Sequence, residues 1–180
     1  MKAVLMLASA GTSLLIAAAG MAQAADVTEE ELLQRLEGVA PPEVLGNATL
    51  LHVTDGGEMQ TVREGTNGWT CMYPGTNPMC VDAGGLEWMH DLMEGSKDPP
   101  QDLGFVYMLL GDEGASNIDP AAREETADNA WVQTGPHVMI VGAAARPMME
   151  GYPREAEADP TKPFVMWPGT PFEHLMLPVE

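Results

Sequence analysis

Two tripeptides, His137-Val138-Met139 and His174-Leu175-Met176, share the order histidine, any residue, methionine. Both lie in runs with strand character, and in a strand residues i and i+2 point to the same face. On adjacent strands the two pairs can gather imidazole nitrogen and thioether sulfur around one soft ion, a donor set that suits copper. The competing expectation is a core filled by methionine, with histidines making ordinary hydrogen bonds. A second constellation, "GDEGASNIDP", brings together Asp112, Glu113, Ser116, Asn117 and Asp119, oxygen donors of the kind calcium prefers. It lacks the EF-hand glycine and the closing glutamate, so a network of turn-forming side chains is the alternative.

Hydrolysis needs a nucleophile, and beyond the leader described below the chain has only Ser96 and Ser116, neither inside G-x-S-x-G. Ser116, His137 and Asp112 can be drawn as a triad on residue type alone. A hydrolase would then use His137 with an acidic partner. The sequence contains no P-loop, dinucleotide fingerprint, haem-attachment motif or H-E-x-x-H. Trp69, Trp88, Trp131 and Trp167 are spread along the chain and can stack on a flat ligand, although core packing is the usual fate of tryptophan.

Residues 1–24 read as a secretory signal: Lys2, a long uncharged apolar run, and Ala22-Gln23-Ala24 before a cut between Ala24 and Ala25. Export bears on the two cysteines, Cys71 and Cys80, because an oxidising compartment pairs such thiols. Their spacing is not that of a C-x-x-C redox motif, and two thiolates alone do not complete a zinc site. Loss of the leader leaves 27 acidic against 7 basic side chains. That balance repels nucleic acid and anionic lipid, and cleavage leaves no segment stably inserted in a membrane. Solubility, or cation binding, is what so acidic a surface serves.

The elements that must position these residues follow from periodicity. "DVTEEELLQRLEGVAPP" reads as a helix within an N-terminal arm, residues 25–43, with a capping box of Thr28 and Glu31 and a stop at Pro41-Pro42. The rest, residues 44–180, reads as one domain. "ATLLHVT", "EMQTVRE" and "WTCM" read as three antiparallel strands in a meander, turning at "DGG" and "NG". "GLEWMHDLMEG" reads as a short helix with Leu86, Met89, His90 and Met93 near one face. Further strands are predicted in "LGFVYMLLG", "PHVMIVG", "PFVMWPG" and "HLMLPV". The stretch between Asp112 and Trp131 reads as a long loop with one helical turn near "PAAREETADNAW". The fold class is α+β, a mainly antiparallel sheet carrying two or three short helices.

The blocks "EGTNGWTCM", "GLEWMHD", "GFVYMLLGDEGASNIDP", "TGPHVMIV" and "FEHLMLPV" resemble the signature blocks of a family of small, uncharacterised secreted bacterial proteins. The resemblance runs from about residue 44 to the C-terminus. It implies an exported or periplasmic protein and brings no activity, substrate or cofactor with it. Sequence reasoning therefore favours a disulfide-stapled domain that binds a small ligand or acts as an accessory protein. Its candidate residues are Asp112, Ser116, Asn117, Asp119, His137 and His174; a hydrolase and a copper or calcium binder are the alternatives.

Overall fold

The computed structural model describes residues 27–54 and 56–179; the predicted leader lies outside them. The first helix, α1 (Glu29–Arg35), begins at the expected capping box: the Thr28 hydroxyl accepts from Glu31 N–H, and the Glu31 carboxylate accepts from Thr28 N–H. Leu32 and Leu36 are fully buried, so α1 packs against the sheet. A short helix, α2 (Pro42–Leu45), follows, with proline at its first position where no donor is needed.

Eight strands form one sheet in the order β2 (Met59–Arg63), β1 (Thr49–Val53), β3 (Thr70–Met72), β4 (Met79–Val81), β5 (Gly104–Met108), β8 (His137–Val141), β10 (His174–Pro178), β9 (Phe164–Met166). A two-stranded ribbon pairs β6 (Ala115–Ser116) with β7 (Trp131–Val132). The α+β class is as expected, but the opening meander is not. β3 pairs with β1 in parallel, on the side away from β2. After β2 the chain crosses the start of β1: Gly65 N–H donates to the Thr49 hydroxyl and Thr66 N–H to Asn47 O. Only glycine fits at that crossing, since a Cβ on residue 65 would lie 2.1 Å from Thr49 N.

Cys71 and Cys80 face each other across the β3–β4 hairpin and form the disulfide. For a loop of about ten residues the chain-entropy relation gives a contribution of about 2.7 kcal/mol. What the clasp holds is the turn between them, and Asn77 at that turn accepts from Glu113 N–H at 3.1 Å.

Alternation along the strands sorts the core into two layers. One face, with Leu50, Cys71, Cys80, Ile140, Val165 and Leu175, is covered by α1 and by a 3₁₀ helix, Ala143–Met149, that the periodicity did not suggest. The other face is covered by α3 (Ala83–Met93), capped by Asp82. Its buried residues are Gly85 and Trp88, while His90 and Met93 are exposed, so the expected apolar stripe is rotated. Trp88 is 2% exposed and sits over the sheet face that carries both histidine–methionine pairs. The expected helical turn in the loop after Asp112 is a plain turn, closed by Ala122 N–H to Asp119 O.

Candidate functional site

β8 and β10 are antiparallel neighbours, and their register sets Met139 directly opposite Met176. His137 stands two residues before Met139 and His174 two before Met176, so the histidines lie at opposite ends of the methionine pair. Flanking strands add more sulfur: Met108 of β5 pairs with His137, and Met166 of β9 pairs with His174. With Met79 of β4, five thioethers and both imidazoles line one cavity of about 160 Å³ beneath α3.

Both histidines are held in the same tautomer. His137 Nδ1 lies 2.7 Å from Gly135 O and His174 Nδ1 lies 3.1 Å from Phe172 O. A carbonyl only accepts, so Nδ1 carries the proton in each ring and Nε2 presents a bare lone pair. Both Nε2 atoms are buried without a hydrogen-bond partner among the described residues. His137 is 0% exposed and His174 1% exposed, which makes these unmet lone pairs costly to the fold.

Burial keeps both rings neutral. It lowers His137 below the usual imidazole range, against the opposing pull of the Gly135 carbonyl and of Asp112. His174 is pushed down to about 4, by burial first and then by proximity to His137, with the Phe172 carbonyl opposing. A folded-state value below the unfolded one means that protonation favours unfolding. Stability from His174 is therefore complete above about pH 6.5 and is lost as pH falls towards 4, a loss of about 3 kcal/mol by pH 4. Urea unfolding at pH 7 and pH 4 should show that loss as a difference between the wild type and His174→Leu, with the variant the less pH-sensitive of the two.

Two tryptophans flank His174. The ring centroids of Trp88 and Trp167 lie 5.1 Å and 4.8 Å from the imidazole, each near-perpendicular to it. Trp167 is held there at some backbone cost, with a φ of 54° that a bulky residue rarely adopts. Its indole N–H donates to Ser116 O at 2.7 Å and its backbone N–H to Asn117 O at 3.1 Å.

Those contacts show where the candidate loop residues stand. The Ser116 hydroxyl donates to Asn129 O and accepts from Asp119 N–H, and the Asn117 amide donates to Glu155 O and Ala156 O. The Asp119 carboxylate accepts from Ala121 N–H. Ser116 and Asn117 thus fix Trp167 rather than line the cavity, and Asp119 shapes a turn. Asp112 does reach the cavity wall with His137 and His174. Its Oδ1 accepts from Gly114 N–H and Thr134 N–H, and its Oδ2 lies 3.8 Å from His137 Nε2. Burial raises the Asp112 carboxyl above its ordinary value, against those two backbone donors and His137. Sequence reasoning missed Met79, Met108 and Met166 as wall residues, and of the four tryptophans it offered for stacking on a ligand Trp88 and Trp167 reach the wall. The signal the three methionines share is an inward position on a strand.

No protein-family model, curated protein or solved structure matches the chain. The cavity's chemistry must therefore speak for itself. Among the described residues no three histidines, cysteines, aspartates or glutamates are grouped so as to hold a metal ion. A metal in this cavity would have to take thioether sulfur into its coordination sphere. Hydrolysis finds little support in the arrangement: the Ser116 hydroxyl is engaged elsewhere, and His137 offers Nδ1 to a carbonyl and Nε2 to the side of Asp112.

Proposed function

We propose that this is an exported binding protein that takes up a soft monovalent metal ion of the Cu(I) class in the cavity beneath α3. The carrying observation is the pair of buried histidines, each with Nδ1–H committed to a carbonyl and Nε2 bare, in a cavity walled by five methionines. Neutral imidazole and thioether are soft donors, and thioether sulfur selects Cu(I) over harder ions. Charge points the same way. The desolvation cost of an ion grows with the square of its charge, so a divalent ion entering this apolar pocket would cost roughly four times as much as a monovalent one.

Export is supported by the leader sequence, by the resemblance to secreted bacterial proteins, and by the Cys71–Cys80 disulfide, which persists in oxidising compartments. Among the described residues no helix is long and apolar enough to cross a membrane. Anaerobic competition against a chromogenic Cu(I) chelator tests the proposal. The protein should retain one or more equivalents of Cu(I), and X-ray absorption of the loaded protein should show both sulfur and nitrogen neighbours. Transfer of all the copper to the chelator, together with no heat of binding for Ag(I), would refute it.

A further inference from the structure

Asp112 lines two hollows. One is the cavity with the histidines; the other is a hollow of about 270 Å³ bordered by Arg35, Tyr73, Pro78 and Glu113. Among the described residues no other lines both. Its two oxygens are used differently. Oδ1 is fixed by two backbone donors, whereas Oδ2 accepts no hydrogen bond among the described residues and stands 3.8 Å from His137 Nε2. The side chain is 12% exposed, so this carboxylate touches solvent on one side and the bare imidazole nitrogen on the other. Across from it Asn77, at the tip of the disulfide-clasped hairpin, is tied to Glu113 N–H and closes the rim.

The two ends of the cavity differ. At the His137 end there is a carboxyl oxygen near water. At the His174 end no carboxylate among the described residues lies within ion-pair reach, the ring is 1% exposed, and two indoles stand beside it. In the β8–β10 register His137 pairs with Pro178, four residues beyond His174. At about 3.3 Å per residue the two histidine Cα atoms are offset by roughly 13 Å along the strands. The facing pair Met139 and Met176 lies between them.

On the metal-binding reading of the preceding subsection, we propose that the ion enters between Asn77 and Asp112, is met by Asp112 Oδ2 and His137 Nε2, and passes along Met139 and Met176 to rest at His174. Asp112 is then a port. An anionic port draws cations in and speeds their capture, and it need not bind the resting ion. The direction of travel follows from the ligands: an oxygen donor suits an ion that is still partly hydrated, while thioether and imidazole suit the bare soft ion deeper in.

Stopped-flow loading with Ag(I) in chloride-free buffer tests this, read through tryptophan emission, because Trp88 and Trp167 flank the proposed resting position. Asp112→Asn keeps the oxygen that accepts from Gly114 and Thr134 and removes the charge. It should slow quenching by about tenfold, the low end of electrostatic steering, and leave the final amplitude and stoichiometry unchanged. Asp112→Glu should recover most of the rate, and circular dichroism of both variants should match the wild type. An unchanged rate in Asp112→Asn would overturn the port. A loss of equilibrium affinity with an unchanged rate would overturn it too, by making Asp112 a ligand of the resting ion. Failure of the wild type to bind Ag(I) at all would instead remove the metal reading itself, and this inference with it.

Discussion

Replacing both His137 and His174 with leucine should lower Cu(I) affinity at least a hundredfold, about 2.7 kcal/mol, and leave the metal-free protein as stable as the wild type or more so. The two effects have opposite signs because the same atoms cause both. Each Nε2 is buried with nothing to bond, and an unmet buried polar atom costs about 1–3 kcal/mol. Leucine removes that cost at similar volume. It also removes the Nδ1–H donated to Gly135 O or Phe172 O, a loss of about 0.5–1.5 kcal/mol at each site. At residue 137 the partner Gly135 is exposed and its carbonyl turns to water, leaving a gain of about 1 kcal/mol readable as a higher urea midpoint; at residue 174 the buried Phe172 carbonyl loses its donor, which offsets the relief. Histidines serving only the core would behave otherwise, because their removal would destabilise the fold and leave metal affinity where it was. A double variant that unfolds more than 2 kcal/mol more easily than the wild type, or that still competes for Cu(I), would contradict the binding role. Stability surrendered at a site in exchange for reactivity is a recurrent feature of functional positions.

How much of this is legible in the sequence depends on whether the signal is local. The α1 capping box is a four-residue pattern, and Thr28 and Glu31 meet as expected. The disulfide is legible from two cysteines in one short window. The two H-x-M tripeptides stated by their spacing that histidine and methionine share a face, and β8 and β10 are indeed neighbours. What the sequence did not show is which other strands stand beside them. Met108 and Met166 reach the cavity only because β5 and β9 flank β8 and β10 in the sheet, a matter of long-range order. The parallel seating of β3 was hidden for the same reason, since Asn67-Gly68 marks a reversal without saying on which side of β1 the chain returns. The polar loop misled because its side chains look like ligands. Ser116 instead spends its hydroxyl on the loop's own backbone, Asn117 ties its amide to the Glu155 and Ala156 carbonyls, and both carbonyls hold Trp167. In α3 the strongest buried anchor is Trp88, whose neighbour on the sheet side is Gly85, a residue that contributes no hydrophobicity to a periodicity count.

That glycine leads to the second large effect: Gly104→Ala should cost about 3 kcal/mol or more in stability, at the upper end for overpacking a core. α3 rests on β5 backbone to backbone. A Cβ on Gly104 would lie 2.3 Å from Gly85 N and 2.5 Å from Gly84 C, and one on Gly84 would lie 2.3 Å from Leu103 O. No side-chain rotation relieves contacts of that kind, because both partners are main chain. The seat is also pinned from the side, since the Asp82 carboxylate accepts from Gly85 N–H and from Phe105 N–H at once. Alanine at residue 104 must therefore push the start of α3 off the strand or break the Asp82 bridge. Trp88 lies about one turn further along that helix, so the indole moves away from His174 as the helix lifts. The Ag(I)-dependent quenching should accordingly shrink in the fraction that remains folded, in addition to the fall in urea midpoint. Gly135→Ala is the matched control, at the foot of the same strand as His137. A Cβ there meets nothing within 4 Å, and the change should stay within about 0.5 kcal/mol. Equal midpoints for the two alanine variants would mean that α3 does not depend on this seat. The cavity roof would then have to be held from its other end.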